Sequence, residues 1–241
     1  MTQFKVALCR NYVSGEKWVQ GVVDSWYHTI GDLFPGAAID LFHPIEGTPF
    51  PNAQDYDLII LTGGSFDLTQ EIVDPWVEGT FQFIQTTTRD HPKTKILGIC
   101  WGHQVVARAF GGKIGVVKTD QAVVGVQDIA ITPEGKSFFG LDKEHISIHK
   151  FHKMVVTVPA PGYISLATEN EILLSEAQNV LTFQGHPELV GDMAKEILDA
   201  DTGAFFTSGF SKEELDNTFQ SVKKPHDGDA LFARIATWAR S

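Results

Sequence analysis

The stretch Gly98-Ile99-Cys100-Trp101-Gly102-His103-Gln104 most restricts what this chain can fold into. It follows the apolar pair Ile96-Leu97 and opens a helix-patterned run, Val105-Val106-Ala107-Arg108-Ala109-Phe110. A strand that bends sharply into a helix, with a single cysteine at the bend, reads as a nucleophile elbow. Strand and helix approach so closely there that the residues two before and two after the nucleophile must be small. Both are glycine, Gly98 and Gly102. The bend sets the sulfur at a helix N-terminus, where unpaired N–H groups and the helix dipole favour thiolate over thiol.

A strand–helix unit of this type belongs in an α/β fold, and the flanking sequence agrees. Phe4–Leu8 reads as a buried first strand. From Glu16 to Phe34, Trp18, Val19, Val22, Val23, Trp26, Tyr27 and Ile30 recur at three- and four-residue spacings, which predicts an amphipathic helix. Ala37–Phe42 is a second strand, and Asp57–Leu61 a third that ends in the loop Thr62-Gly63-Gly64-Ser65. Pro75 suits the first turn of a helix carrying Trp76, Phe81, Phe83 and Ile84, which ends before His91-Pro92. Strand Lys95–Ile99 delivers Cys100, and the helix beyond it stops at Gly111-Gly112. Such alternation predicts a mostly parallel sheet covered on both faces.

Beyond Gly112 the texture changes to short β-prone runs: Ile114–Val117, Val123–Ile131, Ile146–His149, Val155–Val158, Ile164–Ala167 and Leu173-Leu174. They predict an antiparallel or mixed extension of the same domain. Asn179–Gly185 reads as one more strand, ending in His186-Pro187-Glu188, before a helix with Leu189, Val190, Met193, Ala194, Ile197 and Leu198 on one face. Ser211-Lys212-Glu213-Glu214 is a capping box, and a last helix runs through Trp238. With no repeat or long linker, residues 1–241 are expected to form one domain with a C-terminal helical extension from about residue 200.

Composition removes several classes of function. The formal charge of −11 has no basic cluster larger than Lys223-Lys224, which argues against nucleic acid. No run reaches the roughly 18 apolar residues of a membrane span, and Met1-Thr2-Gln3-Phe4 does not begin a secretory signal, so a soluble cytoplasmic protein is expected. Cys9 and Cys100 are the only cysteines, which fits a reducing compartment. No phosphate-binding or dinucleotide-binding glycine loop occurs, so no cofactor is expected. His145, His149 and His152 have helical spacing, but their neighbours favour a strand, which would put His149 and His152 on opposite faces and argues against a metal site.

A cysteine nucleophile needs a base, and the base needs a group to fix its tautomer. His186 precedes a proline that biases it toward an extended conformation, in which residues i and i+2 project to the same side. Cys100 is thus the candidate nucleophile, His186 the general base and then acid, and Glu188 the orienting carboxylate. The backbone N–H groups of Trp101 and Gly64 are candidate donors to an oxyanion. Gly63, in the same glycine pair, is expected to border the substrate.

Together Gly-Ile-Cys-Trp-Gly-His-Gln, the upstream Leu-Thr-Gly-Gly and the downstream Gln-Gly-His-Pro-Glu resemble the class I glutamine amidotransferases, in that family's order, between Leu61 and Glu188. The resemblance implies a flavodoxin-like core, a γ-glutamyl thioester at Cys100, and release of ammonia or another amine. It also implies that Gln104 helps hold the substrate. Asp74-Pro75-Trp76 is similar to the stand-alone members, which include plant γ-glutamyl peptidases and related fungal proteins. Ser65 stands where many members have proline, and His152-Lys153-Met154 lacks the acidic residue that follows the histidine in several. Asp67 and Glu71 are alternative acids for the substrate's amino group.

Three functions follow as expectations: a self-sufficient hydrolase or transferase acting on γ-glutamyl amides, a glutaminase subunit passing ammonia to a separate synthase, and a catalytically silent binding module. The expected ligand is a small γ-glutamyl compound.

Overall fold

The alternating apolar strands and amphipathic helices build a layered α/β structure in the computed structural model, which describes residues 3–15, 17–119, 121–201 and 205–241. Met1 and Thr2 of the expected N-terminal sequence and Glu16, the expected helix start, lie outside the described residues. The first half contains β1 (Lys5–Asn11), α1 (Lys17–Leu33), β2 (Ala38–Phe42), β3 (Leu58–Gly64), α2 (Pro75–Asp90), β4 (Lys95–Ile99) and α3 (Trp101–Ala109). Then follow β5 (Lys113–Val116), β6 (Val123–Ala130), α4 (Pro133–Phe139), β7 (His145–His152) and β8 (Met154–Val158). The chain ends with β9 (Tyr163–Ser165), β10 (Ile172–Ser175), β11 (Val180–Phe183), α5 (Gly191–Asp201), α6 (Lys212–Ser221) and α7 (Gly228–Ala239).

The central seven-stranded sheet has the order β2-β1-β3-β4-β11-β10-β9. The first five strands are mutually parallel, and β10 and β9 continue the sheet antiparallel. The parallel part is a flavodoxin-like arrangement. Successive strand residues face opposite layers, and both layers are covered. Val6, Leu8, Ile60 and Leu97 pack under α1 and α7, against Trp26, Leu231 and Ile235. Ala7, Cys9, Ile59, Leu61 and Ile96 face α2 and α3, against Val77, Ile84, Val105 and Val106. Cys9 is sealed in this core, and burial pushes its thiol up to about 12.

The expected antiparallel extension divides in two. β9 and β10 join the central sheet, whereas β5 with β8 and β6 with β7 form two separate antiparallel ribbons. The β6–β7 ribbon is tied down by the buried ion pair of Lys150 with Glu171 and by Asp227, whose carboxylate accepts the Ser147 N–H at 2.7 Å. Helix α4 falls between two predicted β runs and was not expected. Pro133 occupies its first turn, and Thr132 Oγ1 accepts the Gly135 N–H at 3.0 Å.

Two boundaries near the cysteine differ from expectation. β3 runs through Gly63 and Gly64, so these glycines belong to the strand rather than to a loop, held by pairing of Gly64 with Asn11. β11 stops at Phe183, and His186 instead makes an isolated antiparallel bridge to His149, its N–H donating to the His149 carbonyl at 2.8 Å.

The elbow is as tight as the sequence requires. A β-carbon on Gly98 would lie 2.7 Å from the Gly102 carbonyl oxygen, and one on Gly102 would lie 2.2 Å from the Leu61 carbonyl oxygen. Both obstacles are backbone, so relief requires moving α3 away from β3. Gly102→Ala is therefore expected to lower stability by about 1–3 kcal/mol or more, the scale of overpacking a filled interior. A urea unfolding midpoint equal to that of the unaltered chain would show that the helix can shift without cost.

Candidate active site

Cys100 sits between β4 and α3 with φ 53° and ψ −99°, a left-handed value rare for a residue with a β-carbon. Such strain persists only where the surroundings enforce it. Here the Cys100 N–H donates to the Phe183 carbonyl at 2.7 Å, and its carbonyl accepts the Gln104 N–H at 3.1 Å. At this bend Cys100 borders a cavity.

Sγ lies 3.7 Å from the Phe151 carbonyl oxygen and 3.8 Å from Gln184 Nε2. Gln184 is buried and was not singled out from the sequence, although it stands two residues before His186, where an extended chain returns to the same side. Gln104 Nε2 donates to the Met154 carbonyl at 2.9 Å and to Gln184 Oε1 at 3.2 Å. Its amide donors are thus engaged with protein, and the two glutamines form a short relay from β8 to the sulfur. Gln104 still borders the cavity.

His186 and Glu188 meet as the extended spacing predicts, with Nδ1 2.8 Å from Glu188 Oε1. A β-carbon placed on Gly63 would lie 3.2 Å from His186 Cε1 and 3.9 Å from Cys100 Cβ. The imidazole and the cysteine therefore converge beside Gly63, where a β-carbon would crowd the ring. Burial by itself would lower the His186 pKa, but the negative charge of Glu188, the neighbouring Cys100 and the hydrogen bond to Glu188 outweigh it. The result is a pKa pushed up to about 10.

The neighbouring histidines behave differently. Burial, with the charges of His226 and His186, lowers His149 to about 3, and burial with Lys150 and His186 lowers His152 to about 3. Neither faces a carboxylate as His186 does. Among the described residues, no group of three or more metal-ligating side chains forms, and His145 is exposed on the strand that carries the other two.

Gly64 is wedged beside the elbow. A β-carbon there would lie 2.6 Å from the Asn11 carbonyl oxygen and 3.1 Å from Trp101 Cγ. Asn11 fixes this junction, its N–H donating to Thr62 Oγ1 at 3.1 Å and its Nδ2 to the Thr62 carbonyl at 3.2 Å. Trp101 Nε1 donates to the Phe66 carbonyl at 3.0 Å, and its ring stacks on Trp76 at 5.0 Å. Trp76, next to Pro75 at the start of α2, thus braces the segment that follows the glycines. Asp67 bonds to Thr69, and Glu71 is exposed; neither is among the residues lining the cavity.

The cavity holds about 440 Å³, within the ~300–1,000 Å³ of small-molecule sites. Cys100, Gly63, Gly64 and His186 line it together with Phe205 and Phe206 and with residues of α1 whose spacing predicts only a packing face. Trp18, Val22 and Trp26 recur at the spacing of one helix face.

Residues 39–201 match the family model described as "Glutamine amidotransferase class-I". Glutamine amidotransferase-like protein chry6 of Gibberella zeae is 38% identical over 237 residues, covering 98% of this chain and 95% of that protein. Gamma-glutamyl peptidase 3 of Arabidopsis thaliana is 31% identical, covering 76% of this chain and 75% of that protein. A glutamine amidotransferase from Thermotoga maritima of known structure superposes with a TM-score of 0.72 at 16% identity, covering 100% of both chains. The chain belongs to the class I glutamine amidotransferase family.

The charge on His186 has a measurable consequence. Because its pKa is raised above the ordinary 6.5 toward about 10, the stability it contributes is complete below pH 6.5 and is lost as pH rises through about 10. Glu188→Gln removes a carboxylate that favours the imidazolium. Imidazole nitrogen NMR should therefore show His186 titrating at lower pH in the variant than in the unaltered chain. Coincident titrations would exclude Glu188 as a cause of the shift.

Proposed function

We propose that this chain is a cysteine hydrolase or transferase that cleaves γ-glutamyl amide bonds, in glutamine or in γ-glutamyl peptides and conjugates, through a γ-glutamyl thioester. The observation that carries the reading is His186 held at 2.8 Å by Glu188 on one side while it converges with Cys100 on the other, at a strained elbow.

In this reading Cys100 gives its proton to His186 and attacks the γ-carbonyl carbon, forming the C–S bond, and the carbonyl electrons move onto oxygen. The backbone N–H groups of Trp101 and Gly64 serve as donors to that oxyanion. Collapse breaks the C–N bond, and His186 delivers a proton to the leaving nitrogen. Water, or an acceptor amine in the transferase case, then attacks the thioester. It gives its proton to His186, and the C–S bond breaks to release glutamate or the new amide. Glu188 holds the imidazole in one tautomer and stabilises the imidazolium. Gly63 provides clearance for substrate beside the ring, and Gln104 positions the site through Met154 and Gln184.

Residues 1–241 act as one amidotransferase unit in this proposal, with the part from about residue 200 as a helical extension. The burial of Leu231, Phe232 and Ile235 of α7 in the same core cluster as β1 and α1 supports this. No described helix is long and apolar enough to cross a membrane. The free cysteines suit a reducing, cytoplasmic setting.

The purified chain is expected to release glutamate from a γ-glutamyl amide without a partner protein, and Cys100→Ser to abolish release. Absence of release from glutamine, glutathione and γ-glutamyl anilides alike would overturn the proposal. Glu188→Gln should reduce kcat by up to about 10⁴-fold, the scale of losing a triad carboxylate, with little change in KM. An unchanged kcat would remove Glu188 from the mechanism.

A further inference from the structure

One side of the cavity is large, apolar and aromatic, far more than an ammonia leaving group would need. Tyr12 and Trp18 pack at 5.2 Å, and the rings of His186, Phe151, Phe206 and Phe205 form a continuous row with centroid spacings of 6.3, 5.5 and 5.0 Å. That row runs from the imidazole of the proposed base out to Phe205, which is 42% exposed. The outer pair is held in place: Asp201 Oδ1 accepts the N–H groups of Phe205 and Phe206 at 3.1 and 3.0 Å, and Oδ2 accepts the Thr207 N–H at 2.9 Å. Asp201 is thereby committed to shaping the wall.

Five lining residues carry buried polar atoms with no hydrogen-bond partner among the described residues: His186 Nε2 and Glu188 Oε2 at the proposed reaction centre, and, beyond it, Tyr12 Oη, Trp26 Nε1 and both ring nitrogens of His152. Buried polar groups normally find a partner, because leaving one unmade costs about 1–3 kcal/mol. Tyr12 and Trp26 offer donors, and the neutral His152 ring offers one donor and one acceptor.

Resting on the reading of Cys100 as the γ-glutamyl acceptor, we propose that this wall is a subsite for the amine half of the substrate. It selects γ-glutamyl amides of a flat aromatic amine that carries a neutral hydrogen-bond acceptor. The ring stacks among Trp18, Phe151 and Phe206, and the acceptor takes the hydrogen bonds that Tyr12 and Trp26 leave unmade. The bond broken and the proton delivered by His186 are those given above; only the leaving group, an arylamine in place of ammonia, is specified further.

Calorimetric titration of the Cys100→Ala chain with glutamine, γ-glutamyl anilide and γ-glutamyl 4-nitroanilide tests binding apart from chemistry. The anilide is expected to bind at least about tenfold more tightly than glutamine, and the nitroanilide more tightly again. Phe206→Ala and, separately, Trp18→Leu should each weaken the anilides about tenfold more than glutamine. Tyr12→Phe should narrow the gap between nitroanilide and anilide while leaving the ring's advantage over glutamine. Glutamine binding as tightly as both anilides, or substitutions that weaken all three ligands equally, would overturn the subsite. Selective aromatic binding together with no glutamate release by the unaltered chain from any of the three would uphold the subsite and refute the proposed reaction.

Discussion

The backbone contact between α3 and β3 is the constraint on which the site depends. Gly102 lies so close to the Leu61 carbonyl that a single β-carbon would collide at 2.2 Å. That closeness forces the chain to reverse within one residue, and Cys100 absorbs the bend with φ 53°. The bend sets the sulfur at the first turn of α3, where unpaired N–H groups favour negative charge. On the adjoining strand Gly63 lies beside Cys100 and His186, and Gly64 beside Trp101.

Electrostatics then divides the histidines. His186, His149 and His152 are all buried, and burial alone opposes charging each of them. His186 alone has a carboxylate at 2.8 Å and the cysteine on its other side, so its pKa rises while those of its neighbours fall. One imidazole is thereby suited to hold a proton near the sulfur, while two neutral rings pack around it without adding positive charge. The ion pair of Lys150 with Glu171 anchors the ribbon that carries Phe151, and so holds the Phe151 carbonyl 3.7 Å from Sγ.

Much of this was legible in the residues. The parallel strands and the helices between them follow from period-2 and period-3.6 patterning. The elbow follows from Gly98 and Gly102, and the His186–Glu188 pair from the proline between them. The strand boundaries near the site were less legible, because pairing decided them. Gly64 is held as strand by Asn11, and β11 ends early because His186 bridges to His149. Gln184 lay within a recognised motif, yet its contact with the sulfur depends on where Gln104 and Met154 arrive from other elements.

The sequence by itself determined the alternating strands and helices of the parallel part, the bend and the chemical types at the site, since these depend on local steric demand and on neighbours within a few residues. Only the tertiary structure decided what surrounds them. Trp18, Val22 and Trp26 read as the packing face of a helix; folding turns them toward a cavity shared with Phe205 and Phe206, residues distant in the chain. Periodicity records that a face is apolar but not what it meets, because the partner is set by the path of the whole chain. The relay of glutamines, the division of the histidines and the aromatic wall all arise from such long-range meetings.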